Sequence, residues 1–333
     1  MEPESLHIGR DAGVEMIVAI DSTLRGPALG GCRWRCYPDS AAARRDALDL
    51  ARAMTRKAAL AGLALGGGKT VVVGDPRERT REQLLAVGAF VDTLEGRYIV
   101  AADMGTGQEE MAVMAERTRH VSGLPLRVGG CGDPGPFTAH GVQLAMEAAL
   151  AHLGLSLEGA KVAIQGVGHV GSVLLLRLLE CGANLVVADP DPKALRELPE
   201  EVQVVEPEQI TRLECDVFSP CGPPGVIGSR LAREIRCRVI CGAANNPLAQ
   251  LEVGAQLAQR GVLYVPDFLA NAGGIIHLAT ALEGGDDAAS RAHLSVIPEN
   301  LERVLALTQS QRVDPATAAE QLALSALAAS DQS

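Results

Sequence analysis

The sequence predicts an α/β protein with two domains, and three observations carry this prediction. The chain has 333 residues, which exceeds the usual size of a single hydrophobic core. Strand-like and helix-like segments alternate along most of its length, as they do where helices cover a sheet. Residues 129–136 hold four glycines and two prolines, interrupt the alternation, and suit a hinge between domains.

In the first half of the chain, Val14–Asp21 is apolar and predicts a strand, and the glycine-rich residues 26–31 predict a loop. Residues 39–61 carry apolar side chains at helical spacing, with Asp39 and Ser40 as the cap. The other predicted elements of this half are the strand Thr70–Val73, a helix over about 80–94, the strand Tyr98–Ala101 and a helix after Gly107.

The second half is predicted to form a regular α/β alternation after a long helix over about 137–153. We assign residues 1–136, joined by a C-terminal helix over about 311–333, to one domain and residues 137–310 to the other. Strands are predicted near 161–165, 184–188, 202–205, 215–218, 238–241 and 262–264, followed by a helical tail over 288–330.

The composition excludes several classes of partner. Hydrophobic residues make up 47% of the chain, charged residues make up 21%, and the net charge is −11. An acidic protein is a poor match for nucleic acid or for an anionic membrane surface, and no apolar run reaches the length of a bilayer span. The N-terminal residues lack the basic and apolar parts of a signal peptide, so we expect a cytoplasmic location.

The eight cysteines do not predict a metal site. Two Cys-x3-Cys pairs, at 32/36 and 237/241, have no matching histidine cluster and lack the spacing of zinc ribbons. We interpret the cysteines as small buried residues in a reducing compartment and expect no metal. A metal hydrolase built on these pairs is the remote alternative.

A dinucleotide-binding motif follows the predicted strand Lys161–Gln165. It reads G-x-G-x-x-G, with Gly166 for the tight turn, Gly168 for close approach of a pyrophosphate, and Gly171 for packing of helix on strand. The N-terminus of the helix that follows offers free N–H groups to the phosphates. Asp189 lies 18 residues after the third glycine, where a carboxylate accepts hydrogen bonds from ribose hydroxyls and repels a 2′-phosphate.

This pattern predicts a Rossmann-type domain that binds NAD rather than NADP. A βαβ unit without a ligand is the alternative. His169 and Val170 complete the turn, and we expect His169 to be a variable position rather than a catalytic one.

Two lysines stand out because the chain otherwise uses arginine. Of the 30 basic residues only four are lysine, and Lys57 and Lys69 lie 12 residues apart near a helix end and a glycine run. Two neighbouring ammonium groups make each other easier to deprotonate, so one can act as a general base while the other holds a carboxylate. Asp103 follows a predicted strand, where a carboxylate can move protons. The alternative is that these are surface lysines and a helix-capping aspartate.

Six segments of the chain resemble one enzyme family, the Glu/Leu/Phe/Val dehydrogenases, and within it most closely the leucine and phenylalanine dehydrogenases. The resemblance covers nearly the whole chain, with the motifs in the family's order and spacing. The segments are Gly26–Asp75, Gly96–Thr106, Gly166–Gly171, Cys215–Cys221, Gly242–Asn246 and Pro266–His277.

The resemblance implies a role for each matching residue. Lys57 would bind the substrate carboxylate, helped by the backbone of Gly30 and Gly31, Lys69 would activate water, and Asp103 would pass protons to and from the amino group. Asn245 would lie near both the substrate and the nicotinamide. The other positions implied at the cofactor are Thr138, Cys221 and Gly222.

The implied reaction is the reversible, NAD-dependent oxidative deamination of an L-amino acid to a 2-oxo acid and ammonia. Hydride leaves the α-carbon, Lys69 activates the water that attacks the resulting iminium, and Asp103 handles protons as ammonia leaves. Closure of a cleft between the two domains would exclude water. The N-terminal domain would then bind substrate and make subunit contacts.

The residues that match the family's side-chain pocket are largely aliphatic and predict a branched-chain substrate: leucine, valine or isoleucine. A phenylalanine or tryptophan dehydrogenase is the alternative within the family, since one or two methylenes shift selectivity by only about 1–3 kcal/mol. A non-catalytic NAD-binding protein is the alternative from another class. We expect a homodimer or higher homo-oligomer, because the termini match only part of the family's subunit contacts. The pocket positions are Leu29, Met54, Ala101, Ser122, Ile275 and Leu278.

Overall fold

The structure is a computed structural model and describes residues 3–330. Its first half is built on a five-stranded sheet of order β1-β2-β4-β3-β5. β1 and β4 each pair antiparallel with β2, and β3 runs parallel to both β4 and β5. The strands are β1 (Ser5–Asp11), β2 (Val14–Ser22), β3 (Ala28–Arg35), β4 (Gly66–Val73) and β5 (Tyr98–Ala102).

Helices cover both faces of this sheet. On one face, alanines of α1 (Ser40–Leu60) pack on Ile17, Ala19 and Val71. On the other, α2 (Arg81–Asp92) and α3 (Gln108–Met114) bury a larger core around Trp34. Small residues along α1 let it lie close to the sheet, because the backbone rather than long side chains makes the contact.

The prediction of a loop over residues 26–31 is wrong from Ala28 onward, where β3 begins. β4 likewise begins at Gly66, four residues before the predicted strand. In the sequence these glycines are typical of a loop. In the structure they lie in strands, at points where neighbouring backbones are too close together for side chains. A Cβ on Gly30 would lie 1.9 Å from the carbonyl oxygen of Gly68. The edge strand β1 carried no prediction.

The second sheet has six parallel strands in the order β11-β10-β9-β6-β7-β8. Counted from its own first strand this is 3-2-1-4-5-6, the order of dinucleotide-binding folds, in which the direction of winding reverses between β6 and β9. The strands are β6 (Lys161–Gln165), β7 (Asn184–Ala188), β8 (Gln203–Val204), β9 (Val217–Pro220), β10 (Val239–Ile240) and β11 (Leu263–Tyr264). The predicted Rossmann-type fold is confirmed.

Two helices of this half can be compared with the sequence directly. α4 starts two residues earlier than predicted, and α5, which follows the glycine motif, already starts at His169 within that motif. The helices are α4 (Gly135–His152), α5 (His169–Glu180), α6 (Pro207–Ile210), α7 (Ser229–Glu234), α8 (Glu252–Gln259), α9 (Asp267–Ala270), α10 (Gly273–Leu282), α11 (Asp287–His293), α12 (Val296–Gln311) and α13 (Pro315–Ser330), with a 3-10 turn at Leu126–Val128.

The chain divides into two compact units. The first comprises the chain up to Pro134, residues 278–289 and the described residues from 323 onward, and the second comprises 135–277 and 290–322. Helices α10 and α13 therefore each contribute to both units. The assignment of a substrate domain and a cofactor domain remains a prediction, and residues 331–333 of the predicted C-terminal helix lie outside the described residues.

Within residues 3–330, no helix has the length and apolarity needed to cross a bilayer. Over the same residues, no group of three or more His, Cys, Asp or Glu side chains is arranged to hold a metal ion.

Candidate functional site

The three parallel strands of the first sheet bring the predicted catalytic residues to one face. Lys69 lies opposite Ala19 in the β2–β4 register, and Ala19 belongs to the cluster under α1. Gly31 lies opposite Ala101 in the β3–β5 register, and Asp103 follows β5 two residues further along. Because side chains alternate across a strand, Lys69, Gly31 and Asp103 share the face that α1 covers.

Lys69 and Asp103 form an ion pair, with Nζ 2.7 Å from Oδ2. Arg33, two residues beyond Gly31 on β3, contacts the same oxygen through Nε at 3.1 Å. All three side chains are largely withdrawn from water, with exposed fractions of 6% for Lys69, 10% for Arg33 and 19% for Asp103. One carboxylate oxygen is therefore shared between two cations.

Burial alone would raise the pKa of Asp103, but the charges of Lys69 and Arg33 outweigh it and hold the pKa well below the usual range. Asp103 is therefore ionised at neutral pH. An ionised carboxylate can accept hydrogen bonds from an incoming ammonium group, which a protonated acid could do only poorly.

The cluster continues to α1. Nη1 of Arg33 lies 3.3 Å from Oδ2 and 3.4 Å from Oδ1 of Asp46, and the hydroxyl of Tyr37 also donates to Asp46. Lys69, Asp103, Arg33 and Asp46, which we call the ion cluster, thus contain two positive and two negative groups. Burial and this hydrogen bond raise the pKa of Tyr37, so its phenol stays neutral.

Gly31 lies directly against the ion pair. A Cβ at this position would lie 2.6 Å from Cβ of Asp103 and 3.2 Å from Nζ of Lys69. Contacts at such distances force neighbouring groups to move. The glycine is therefore required by the ion cluster itself, and its backbone lies beside the two charges without a side chain.

The end of α1 sits directly on the sheet beside these residues. A Cβ on Gly67 would lie 2.0 Å from the backbone nitrogen of Thr55, which shows how closely α1 approaches β4. Met54 and Lys57 flank Thr55 and are partly buried, while Leu29 lies opposite Gly67 in the β3–β4 register. The predicted substrate-binding residues of α1 and β3 therefore occur on the same face as the ion cluster.

Buried hydrogen bonds fix the glycine-rich strands from the opposite face. The hydroxyl of Tyr98 donates to the carbonyl oxygen of Gly30 at 2.8 Å and accepts from Oγ1 of Thr70 at 2.9 Å. A Cβ on Gly68 would touch the Tyr98 ring at 2.8 Å. Tyr98 thus ties β3 and β4 together directly behind Lys69.

The remaining pocket positions follow β5 and lie on α10. Ser122 is buried and its backbone nitrogen donates to the carbonyl oxygen of Val100 at 2.8 Å. Leu278 comes within 3.4 Å of a Cβ built on the neighbouring Gly123. Ile275 lies three residues before Leu278 on α10, and both are buried.

In the second unit, the glycine turn (Gly166–Gly171) follows β6 as predicted. Gly166 has a φ of +97°, and a Cβ there would lie 3.0 Å from the carbonyl carbon of Cys221. A Cβ on Gly171 would lie 2.1 Å from the carbonyl oxygen of Gly166. Gly168 differs from both, because nothing lies within 4 Å of its built Cβ and the space beside it is open.

α5 begins one residue after Gly168, which serves as its N-cap without a side-chain hydrogen bond. His169 and Val170 form its first turn, and His169 is exposed. The N-terminus of α5, which has no side-chain cap, and the open space at Gly168 form a cradle for an anion such as a pyrophosphate.

Asp189 closes the turn on the side of β7. Its Oδ2 accepts from the backbone nitrogen of Val167 and its Oδ1 from that of Asp191, both at 2.8 Å. Each carboxylate oxygen can accept a second hydrogen bond, so both remain able to receive a ribose hydroxyl. A 2′-phosphate near Asp189 would meet negative charge.

The other predicted cofactor residues lie at the carboxyl ends of β9 and β10 and on α4. Cys221 and Gly222 directly follow β9, beside β6 where the winding reverses. Thr138 lies in the first turn of α4, packed against Gly273. Asn245 is exposed, and its Oδ1 accepts from Nδ2 of Asn271 at 2.9 Å.

Three residues of these sites carried no prediction: Arg33, Asp46 and Asn271. Asn271 is buried, and its Nδ2 also donates to the carbonyl oxygen of Ala243 at 3.1 Å. Arg33 could have been found from its spacing, since it follows Gly31 at the two-residue interval that places side chains on one face of a strand. Asp46 had no signal, because only the packing of α1 on the sheet brings it to Arg33.

Most of the chain matches two known protein families. Residues 5–120 match the family described as Glu/Leu/Phe/Val dehydrogenase, dimerisation domain. Residues 129–192 and 188–332 match the family described as Glutamate/Leucine/Phenylalanine/Valine dehydrogenase.

Individual relatives agree with this result. The chain is 41% identical over 317 residues to a leucine dehydrogenase of Bacillus subtilis, covering 94% of this chain and 87% of the relative. It is 40% identical over 322 residues to a valine dehydrogenase of Streptomyces albus, covering 94% and 88%. The crystal structure of L-tryptophan dehydrogenase from Nostoc punctiforme superposes with a TM-score of 0.84 at 33% identity, covering 99% of this chain and 97% of that one.

Proposed function

The chain belongs to the Glu/Leu/Phe/Val dehydrogenase family, and from that premise we propose that it deaminates branched-chain L-amino acids oxidatively and reversibly, with NAD as the hydride acceptor. It is an amino-acid dehydrogenase, an oxidoreductase of a family that uses NAD or NADP. The observation that carries the proposal is the buried Lys69–Asp103 pair at 2.7 Å against Gly31, which joins an amine that can act as a base in its neutral form to a carboxylate.

The residues of the second unit fit a dinucleotide. The open space at Gly168 and the uncapped first turn of α5 suit a pyrophosphate, and the carboxylate of Asp189 suits the hydroxyls of a ribose without a phosphate. We therefore propose NAD rather than NADP. When bound, the nicotinamide supplies the acceptor for the hydride of the substrate α-carbon, and Thr138, Cys221, Gly222 and Asn245 are the proposed contacts around it.

The first unit supplies the groups for deamination. The overall reaction converts the amino acid, NAD⁺ and water to the 2-oxo acid, ammonium, NADH and a proton. Lys57 binds the substrate carboxylate, with the backbone of Gly30 and Gly31 beside it. Asp103, held ionised, accepts a hydrogen bond from the substrate ammonium group and orients the nitrogen.

The substrate ammonium group first releases a proton by way of Asp103, and loss of the hydride from the α-carbon of the resulting amine leaves an iminium. Lys69 in its neutral form then removes a proton from water, whose oxygen bonds to that carbon. Lys69 returns this proton to the nitrogen through Asp103, the C–N bond breaks, and the carbonyl forms as ammonia leaves and takes the hydroxyl proton to become ammonium. General acid–base catalysis of this kind contributes about 10²–10⁴-fold to a rate. Withdrawal of Lys69 and Asp103 from bulk water strengthens these interactions.

The proposed side-chain preference rests on the apolar residues at the predicted pocket positions. Leu29, Met54, Ala101, Ile275 and Leu278 carry no charge to match the second carboxylate of glutamate. Similarity to both a leucine and a valine dehydrogenase supports a branched aliphatic substrate. The one candidate that an observation favours besides this is tryptophan, since the Nostoc punctiforme structure that superposes is a tryptophan dehydrogenase.

Residues 5–120 match a dimerisation domain, which supports a homo-oligomer, and we propose a homodimer or a small multiple of it. The exposed Leu6 and Ile8 on the edge strand β1 are consistent with a contact there. We propose a cytoplasmic location, where the amino acid, the 2-oxo acid and NAD are available.

A substrate panel tests this proposal. Purified protein is assayed by the absorbance of NADH at 340 nm with leucine, valine, isoleucine, phenylalanine, tryptophan and glutamate, each with NAD and with NADP, and with the matching 2-oxo acids and ammonia. We expect the highest kcat/KM with a branched aliphatic substrate and NAD. Highest activity with an aromatic amino acid would replace the substrate assignment, and preference for NADP would overturn the cofactor assignment.

A further inference from the structure

Arg33 joins the two carboxylates of the ion cluster. It is buried in β3 with 10% of its side chain exposed, and it directs Nε to Asp103 at 3.1 Å and Nη1 to Asp46 at 3.3 Å. A buried guanidinium is costly to desolvate unless its donors are satisfied, and here both ends of the fork meet an acid. The arrangement holds Asp103 through the same oxygen that Lys69 contacts.

The two cations on Asp103 differ in chemistry. A guanidinium stays protonated at any pH that a folded protein survives, whereas an ammonium group can give up its proton. Oδ2 of Asp103 therefore has one permanent partner, Arg33, and one partner whose charge can change, Lys69.

We propose that Arg33 is a positioning residue of the deamination reaction, which holds Asp103 in place and in its ionised form while Lys69 loses and regains a proton, with Asp46 as its counter-charge. The inference rests on the proposed function, because it assigns a step to Lys69. Arg33 acts through Asp103 and is not itself proposed to touch the substrate.

Charge balance gives this arrangement its physical reason. With Lys69 protonated, the ion cluster is neutral, since Lys69 and Arg33 balance Asp103 and Asp46. When Lys69 is neutral, the cluster carries one negative charge, which the ammonium group of an amino acid restores to zero. Without Arg33, the ion cluster would contain Lys69 as its one cation beside two carboxylates, and their negative charge would favour the protonated form of Lys69.

The other titratable groups around Lys69 do not disturb this balance. Burial raises the pKa of Cys32, behind the pair on β3, to about 12, and burial likewise raises the pKa of Tyr98 on β5. Tyr37 stays neutral for the reason given above. The charged groups of the ion cluster itself are Arg33 on β3, Asp103 after β5 and Asp46 on α1, and α1 also carries Lys57. Other charged residues of the packed elements pair away from the cluster: Arg52 of α1 with Asp21 of β2 and with Asp49, and Glu15 of β2 with Arg10. The remaining charged residues of α1 are Arg44, Arg45 and Arg56.

The test is the pH dependence of kcat/KM in Arg33→Met and Asp46→Asn. In Arg33→Met a positive neighbour of Asp103 is lost, so Lys69 keeps its proton to higher pH. We expect the rising limb of the profile to shift to higher pH by about one unit. We also expect kcat at neutral pH to fall about 100-fold. In Asp46→Asn a negative charge is lost, so the limb moves to lower pH by less than one unit.

Shifts of the rising limb in opposite directions in the two variants would show that Arg33 positions Asp103. General damage to the fold would lower activity in both variants without shifting the limb in opposite directions. Arg33→Lys keeps the charge but cannot span both carboxylates, so it should restore the limb toward its wild-type position while recovering kcat only in part. Arg10→Met is the control, since Arg10 is an arginine of the same sheet that pairs with Glu15 while 74% exposed. Its profile should match that of the wild type.

An Arg33→Met profile that coincides with the wild-type profile, or equal shifts in Arg33→Met and Asp46→Asn, would overturn the inference. A second measurement does not depend on turnover. Infrared titration of the Asp103 carboxylate, identified by its loss in Asp103→Asn, should show protonation at higher pH in Arg33→Met than in the wild type. If the wild type deaminated no amino acid, the proposed function would fail while this titration still reported on Arg33 and Asp103.

Discussion

The ion cluster of the first unit and the glycine turn of the second are built in opposite ways. The ion cluster concentrates charge, with four charged side chains linked through contacts of 2.7–3.4 Å. The glycine turn removes side chains, and two of its three motif glycines could not carry even a Cβ without a close contact. The glycine turn leaves open space at Gly168 beside the N-terminus of α5, whereas Lys69 and Asp103 fill the space beside Gly31.

This difference determines how each region tolerates change. Charge in the ion cluster is balanced across three strands and a helix, so removing one group leaves others uncompensated and buried. The turn depends on local backbone geometry, and its open position, Gly168, is separate from the two that pack against neighbours. Substitutions in the first region should act on the chemical step, and those at Gly168 should act on binding.

The largest effect is expected from Lys69→Ala. It removes the proposed base while Asp103 keeps Arg33, so we expect kcat to fall about 1,000-fold and KM for the amino acid to change far less. Steady-state kinetics with the best substrate of the panel, at saturating cofactor, measures both constants.

The exposed Lys193 provides the matched control, and Lys193→Ala should leave kcat within about twofold. If Lys69→Ala turned over substrate at the wild-type rate, another residue would have to be the general base. The ion cluster would then contribute to the stability of the fold and not to the chemical step.

The next prediction compares glycines of the two regions directly. In Gly31→Ala the added Cβ would lie 2.6 Å from Cβ of Asp103, so Asp103 and Lys69 must separate, and we expect kcat to fall about 100-fold. In Gly168→Ala the free protein has room for the methyl group, but an approaching pyrophosphate does not. We expect about a tenfold higher KM for NAD, little change in kcat at saturation, and a thermal unfolding midpoint close to that of the wild type.

The split between kcat and KM sharpens the comparison. If Gly168→Ala lowered kcat and left KM for NAD unchanged, the cradle at the start of α5 would not hold the cofactor. If Gly31→Ala kept wild-type kcat, the ion pair would tolerate displacement and its geometry would not matter to the reaction.

The two regions also differ in how far the sequence predicted them. The glycine turn depends on residues close together in the chain, so the spacing of Gly166, Gly168 and Gly171 with Asp189 was sufficient. The strand β3 resembles a loop in the sequence because Gly30 and Gly31 have no side chains. The sequence does not show which groups lie where those side chains would be. In the structure Gly68 lies there at Gly30, and Lys69 and Asp103 lie there at Gly31.

The ion cluster was predicted only in part for the same reason. Lys69 and Asp103 were found from residue type and resemblance, whereas Arg33 was one of 26 arginines and did not stand out. The sequence also predicts that Lys57 is the charged neighbour that tunes Lys69. In the structure the charged group against Lys69 is the carboxylate of Asp103, and the role of Lys57 remains a prediction.

The smallest expected effect concerns acid stability. Because the pKa of Asp103 is lowered by folding, its ionised form stabilises the protein above the unfolded carboxyl pKa of about 4, and this stabilisation is lost as pH falls toward the folded value. Asp103→Asn should therefore be less stable than the wild type at neutral pH, by about 2–3 kcal/mol, and the gap should narrow below about pH 4. Urea unfolding at a series of pH values measures the gap.

Asp75 supplies the contrast, since its pKa is lowered to about 2 by hydrogen bonds from Arg77. Arg77 is 88% exposed, so water and salt screen the pair, and the gap between the wild type and Asp75→Asn should be smaller and should close in high salt. The Asp103 gap should persist in salt because the charges that lower its pKa are buried with it. If salt reduced the stability difference between the wild type and Asp103→Asn, water and ions would reach the ion cluster. Substitution of Gly31 or Arg33 would then not have the expected effect.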